Sequence, residues 1–140
     1  MTTTINASTS SGLVNTADTS GVIKVQSNGK TTNALAWVSF VGSTATINAS
    51  YNVSTVTRSA AGVYVITFTN ALSDINYTPF ISASPNTASS ARIIPLAYCA
   101  ANGLTVVAPT TSSYQFVTCN YPNSGVNYDP DYVMTGVFGN

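Results

Sequence analysis

Residues 51–72 read YNVSTVTRSAAGVYVITFTNAL, and this stretch decides the fold. Residues 51–58 are dominated by β-branched side chains, with Val53, Thr55, Val56 and Thr57. Residues 63–69 place Tyr64, Ile66 and Phe68 on one face and Val63, Val65, Thr67 and Thr69 on the other. A period of two is the pattern of a strand with one buried face. Ser59-Ala60-Ala61-Gly62 predicts the turn between the two strands, with Gly62 free to take a positive φ. Two registers stay open. A four-residue loop pairs Thr55 with Ile66; a slip of one residue sets Val56 opposite Tyr64 and exchanges the buried face of the first strand. The hairpin is expected to be the central pair of an all-β domain.

The same alternation runs outward on both sides. Upstream, AWVSFVG puts Trp37, Ser39 and Val41 on one face and Val38 and Phe40 on the other, a core strand with both faces partly covered. The lone Trp is expected to be a core or interface anchor rather than a ligand platform. Residues 45–49 form a weaker strand. Downstream, NALSDIN is a connection with Leu72 and Ile75 pointing inward. Residues 77–84 form a strand in which Pro79 predicts an edge or a bulge, because proline cannot donate to the ladder. Residues 92–100 hold the apolar run IIPLAYCA, a strand covered on both faces. Asn102-Gly103 predicts a turn into a strand at 104–108. Residues 112–121 alternate as a further strand, PNSGVNYDP is a loop, and DYVMTGVF closes the chain as a strand. Eight or nine short strands without helical periodicity predict an antiparallel β-sandwich.

Residues 1–35 differ from the rest. They contain no aromatic residue and are dense in Ser, Thr and Asn, so they lack the apolar surface to fold alone. Val22, Ile23 and Val25 nevertheless sit in a strand-like alternation that ends at Ser-Asn-Gly. Strand character without a core calls for a partner surface. Residues 1–35 are therefore read as an extended N-terminal anchoring or oligomerisation arm, and residues 36–140 as the sandwich.

Composition narrows the function classes. The chain of 140 residues is long enough for one domain with a core. Only 6% of its residues are charged, against about 25% in ordinary domains. Formal net charge is +0, and polarity comes from hydroxyls and amides. Little electrostatic repulsion keeps copies apart, which suits a packed assembly. Four scattered cations, Lys24, Lys30, Arg58 and Arg92, form no phosphate-tracking patch, so no nucleic-acid partner is expected. Met1 leads into TTTINASTSS, without a basic or apolar leader region, and no apolar run is long enough to span a membrane. Synthesis in the cytoplasm without Sec-dependent export, and no membrane insertion, are expected.

The run AWVSFVG, then TATINASYNVSTVTRSAAGVYVITFTNAL, then DINYTP, resembles a domain found at the C-terminus of bacteriophage tail-fibre proteins. The matching elements are residues 37–40, 52–54, 64–69 and 74–77. In DPDYVMTGVFGN, Tyr132, Val133, Val137 and Phe138 look like the terminal strand of that family, and GVIKVQSNGKTTNAL is similar to the stretches preceding such domains. The resemblance implies a virion structural protein, often a homotrimer, placed in a fibre or at its tip. It implies no site residues, because the matching positions are core and turn positions. The chain is much shorter than a full-length tail fibre, so a short tail, neck or collar fibre and a capsid decoration or head-fibre protein all fit.

Catalysis is not expected. There is no His, and Asp is the only acidic residue type. General acid–base chemistry commonly uses His or a tuned carboxylate, and glycoside hydrolysis needs two carboxylates across a cleft. Asp129 and Asp131 flank Pro130, where turn chemistry accounts for them. Asn123, Asn127, Asp129 and Asp131 offer oxygen ligands but no complete Ca²⁺ loop, so neither a metal nor a cofactor is assigned. Cys99 and Cys119 lie in apolar, strand-like runs and are expected to be buried and reduced. Asn-x-Ser/Thr sequons at Asn6, Asn48, Asn52 and Asn76 carry little weight in so Asn- and Ser-rich a chain.

The candidate contact loop is built from Tyr121, Asn123, Asn127, Tyr128 and Tyr132. Aromatic rings stack on sugar faces and amides bind hydroxyls, so the loop suits a host surface glycan; Tyr is equally at home against a neighbouring subunit. The leading expectation is a trimeric phage fibre protein of the virion, anchored through Val22, Ile23 and Val25 and used for host attachment. A purely structural decoration protein and a free lectin-like module are the alternatives.

Overall fold

Alternating apolar residues assemble here into two sheets whose inner faces share one core. The computed structural model describes residues 26–27, 30–31, 33–86, 92–98, 105–121 and 127–139, and the expected arm residues Val22, Ile23 and Val25 lie outside them. In chain order the strands are β1 (Gln26–Ser27), β2 (Lys30–Thr31), β3 (Ala36–Val41), β4 (Ile47–Tyr51) and β5 (Val53–Ala60). They continue with β6 (Val63–Phe68), β7 (Tyr77–Ala83), β8 (Arg92–Ala97), β9 (Ser113–Tyr121) and β10 (Tyr132–Gly139). No helix occurs among the described residues. Sheet I has the order β4-β3-β10-β7 and sheet II the order β5-β6-β9-β8, while β1 and β2 pair only with each other. Every pairing is antiparallel. The chain is an antiparallel β-sandwich, as the alternation predicts.

The core lies between the sheets. Val38, Phe40, Val133 and Val137 of sheet I meet Tyr64, Ile66, Phe68, Tyr114 and Phe116 of sheet II. Phe40 and Tyr64 pack edge to face with ring centroids 5.1 Å apart and an interplanar angle of 66°. Phe68 and Tyr77 repeat the arrangement at 5.7 Å and 77°. Such edge-to-face pairs add about 0.5–1.5 kcal/mol each beyond the area they bury. Leu35 also joins this core and donates its N–H to the Val137 carbonyl at 2.8 Å, so the sandwich begins within the segment assigned to the arm.

The hairpin keeps its buried face but not its expected place or register. Tyr64, Ile66 and Phe68 are buried as predicted. Val56 pairs with Ile66, and Thr55 with Thr67. The turn tightens to Ala61-Gly62, because irregularities between Val53 and Thr55 and between Arg58 and Ala60 absorb the extra residues. Asn52, at φ 53°, separates β4 from β5, so the first strand starts at Val53 and not at residue 51. β5 stands at the edge of sheet II, and the central pair is β6 with β9. The reason is compositional: β5 presents Ser and Thr to water, whereas Tyr114 and Phe116 of β9 bring the aromatic surface that β6 needs.

Other expectations divide. Pro79 lies in β7, an edge strand, as its missing N–H predicts. The weaker strand starts at Ile47 rather than at residue 45, since Ala45 takes a φ of 56°. Leu72 packs on the core, but Ile75 is exposed. An Asx turn, in which the Asn76 N–H reaches Asp74 Oδ1 at 2.7 Å, carries the chain around Ile75 and leaves it in solvent. β8 is not covered on both faces: it is an edge strand, with Ile94 and Leu96 exposed. Residues 105–108 make only a single bridge, at Val106, and no strand. Asn102, Gly103 and Cys99 lie outside the described residues.

Candidate functional site

The inner face of sheet I is filled; its outer face is not. Along β10, Val133, Thr135 and Val137 point into the core, so Tyr132, Met134, Gly136 and Phe138 point away from it. On β3, Val38 and Phe40 are buried and Trp37 and Ser39 lie on the other side. Trp37 is therefore not a core anchor. Its alternation was legible, but among the described residues no layer lies above the sheet that β10 and β7 extend.

Register then sets side chains side by side. Gly136 stands between Trp37 on β3 and Phe80 on β7. Met134 stands between Ser39 and Ser82. Gly136 contributes no side chain, and a Cβ there would meet Ala36 O at 3.4 Å and Trp37 Cβ at 3.5 Å, ordinary contact distances. The result is a shallow groove of about 380 Å³, lined chiefly by Trp37, Ser39, Phe80, Ser82, Met134 and Phe138. Its walls are well exposed: Trp37 42%, Phe80 73%, Met134 50% and Phe138 44%, with Tyr132 at 56% farther along β10. None of the residues lining the groove is charged. Large apolar surface gathered in one patch marks a contact surface, whereas scattered apolar residues do not.

The described residues of the predicted loop divide between the two sheets. Tyr132 belongs to the open face of sheet I. Asn127 instead bridges to Cys119 of β9, with its Oδ1 3.6 Å from the buried Cys119 Sγ. Tyr128 is held on the same strand: its N–H donates to Thr118 O at 3.0 Å, and its carbonyl accepts from Thr118 Oγ1 at 2.6 Å. Tyr121 ends β9, paired in register with Arg92, and Asn123 lies outside the described residues. Proximity in sequence grouped these residues, but the chain crosses from sheet II to sheet I between Tyr128 and Tyr132.

That crossing is fixed by Asp129. Arg58 donates from Nε to Asp129 Oδ1 at 2.9 Å and from Nη2 to Oδ2 at 2.6 Å, a two-pronged ion pair. The Gly62 N–H and the Tyr64 hydroxyl both reach Oδ1 at 2.8 Å. Burial works to raise the pKa of this carboxyl, but the hydrogen bonds from Arg58, Gly62 and Tyr64 outweigh it and hold the group below the ordinary Asp range. Burial, reinforced by Asp129, pushes the Tyr64 phenol far up. On the other side, Asn86 Nδ2 donates to Asp129 O at 2.6 Å, and Pro130 packs directly on Gly42. Asp129 is thus a clamp between the sheets rather than a turn residue. With both oxygens occupied by donors, it is a poor Ca²⁺ ligand. Among the described residues, no three of His, Cys, Asp or Glu gather as a metal site.

A second polar joint lies at the β4–β5 corner. Asn52 Nδ2 donates to Leu35 O at 3.1 Å and to Asn70 O at 3.2 Å, while its Oδ1 accepts from Asn70 N at 2.8 Å. This side-chain amide is committed to the fold, so its sequon has a structural origin. No family model, curated protein or solved structure matches the chain.

Proposed function

We propose that this chain is a subunit of a short bacteriophage fibre, of the tail, neck or collar, that works in the virion as a homotrimer and serves host attachment without catalysis. The observation that carries the proposal is the uncharged, aromatic outer face of sheet I. A face bearing Trp37, Phe80, Met134 and Phe138 in water favours burial in an assembly, at roughly 25 cal/mol per Å² of apolar surface removed from solvent. The scarcity of charge throughout the chain acts in the same direction. The resemblance of residues 37–40, 52–54, 64–69 and 74–77 to fibre domains supplies the biological setting. Anchoring by residues 1–35, through Val22, Ile23 and Val25, belongs to the same proposal.

A lectin-like use of the face is less favoured, because sugar recognition joins ring stacking to polar groups that fix each hydroxyl, and of the groove-lining residues that are not buried Ser39 and Ser82 alone are polar. The test has two steps. Light scattering of the purified chain is expected to give three times the chain mass. Binding of that trimer to host cells then separates an attachment fibre from a decoration protein, which would assemble but leave cells unlabelled. A chain that stays monomeric contradicts the proposal.

A further inference from the structure

The geometry points to the outer face of sheet I as the contact between copies of this chain, with the Phe80 ring of one copy seated in the hollow over Gly136 of the next. This assignment rests on the fibre proposal and names the surface through which its subunits meet.

Three observations select a second copy as the occupant. The first is electrostatic. The groove lining carries no charge, so an acidic peptide, a basic peptide or a nucleic acid finds no counterpart there. A second copy brings an equally neutral face, and the neutral net charge opposes approach by nothing.

The second is shape. Phe80 is the most exposed aromatic residue of the face, and Gly136, in the same rung of the sheet, has no side chain. One surface therefore carries both a projecting ring and a hollow bordered by Trp37 and Phe138. In a closed ring each subunit offers one part of its surface to one neighbour and a different part to the other. Phe80 and the Gly136 hollow are neighbours in one rung, so a ring built this way sets that rung close to the symmetry axis, where adjacent positions face different neighbours.

The third is size. The exposed fractions of Trp37, Phe80, Tyr132, Met134 and Phe138 leave on the order of 500 Å² of apolar side-chain surface, taking about 150–250 Å² for each large side chain. A standard interface buries about 800 Å² per partner around an apolar centre with a polar rim. Thr78, beside Phe138, begins that rim, while Ser39 and Ser82 set hydroxyls within the groove.

Trp37 is the only Trp of the chain, so its fluorescence reports on this face alone. The test uses the full chain and two variants, Phe80→Ser, which removes the ring, and Gly136→Leu, which fills the hollow. Light scattering, far-UV circular dichroism and acrylamide quenching of Trp37 are measured on each. The wild type is expected to be oligomeric with Trp37 shielded. Both variants are expected to keep their circular dichroism, fall to lower mass, and show several-fold stronger quenching. Oligomers that persist in both variants, with Trp37 quenched equally in all three proteins, overturn this interface and leave the fibre proposal standing. A monomeric wild type overturns both. Shielding of Trp37 in a monomer by an added host oligosaccharide likewise overturns the copy-to-copy contact in favour of sugar binding.

Discussion

The Tyr64 hydroxyl donates to Asp129 Oδ1 at 2.8 Å, joining residues 65 apart in sequence. Tyr64 is fully buried near the start of β6, and Asp129 lies where the chain passes from β9 toward β10. Together with Arg58 and the Gly62 N–H, the pair locks the crossing between the two sheets and so sets where β10 enters sheet I. The open face that β10 carries depends on it.

Asp129→Ala leaves the Tyr64 hydroxyl and the Gly62 N–H without their acceptor and Arg58 without its partner. A loss of about 2–3 kcal/mol is expected, the scale of a charge-assisted hydrogen bond together with an unsatisfied buried donor. Urea unfolding of the variant against wild type measures it. An unchanged midpoint would mean that the clamp contributes nothing.

The same carboxyl sets the acid response. Its folded pKa lies below the ordinary Asp value of 3.8, so its contribution is fully present above that value and drains away as pH falls through the lower folded one. The stability gap between wild type and Asp129→Asn is expected to be constant from neutral pH down to mildly acidic pH and to narrow below about 4. Urea midpoints at neutral pH and in strong acid check the sign.

Alkali acts through the buried phenols. Burial raises the pKa values of Tyr64, Tyr77 and Tyr114 above the ordinary tyrosine value of 10.0. Protonated forms are favoured in the fold, so this contribution is present below 10 and is lost as pH rises through the folded values. Phenolate absorbance from these three is expected to appear only as the protein unfolds. Smooth titration of all tyrosines in a folded protein would contradict the burial.

Two glycines are expected to behave oppositely. Gly62 has a φ of +64°, and a Cβ there would meet Thr118 O at 2.5 Å and Tyr128 N at 2.7 Å. Gly62→Ala is expected to cost about 1–3 kcal/mol, the range for a side chain forced into a sparsely populated backbone region. Gly136→Ala meets only ordinary contacts and is expected to be neutral or slightly stabilising, since Gly weakens a strand interior. Thermal unfolding of both variants tests the contrast.

The sheet architecture was legible because a period of two survives without any knowledge of neighbours. It showed that Trp37 and Ser39 share one face and Val38 and Phe40 the other. It did not show which face would be covered, since that depends on what lies above sheet I. The Gly136 hollow was hidden for the same reason: its walls come from β3 and β7, brought to β10 only by long-range pairing. The Arg58–Asp129 ion pair spans 71 residues with no local signature. Scarcity was the available clue, because in a chain with only four acidic residues each deserves a search for a partner. Of the contact loop's described residues, Asn127 and Tyr128 lie against β9 and Tyr132 on sheet I, because adjacency in sequence ignores a crossing between sheets.

The most direct measurement is the molar mass of the full chain by light scattering across a range of concentrations, beside a chain beginning at Asn33 that keeps Leu35 in the core. A fibre subunit is expected to give a stable trimer in the full chain, with the shorter one showing whether residues before Asn33 are needed to hold it. Monomers in both, at every concentration, would contradict the assembly on which the proposed function depends.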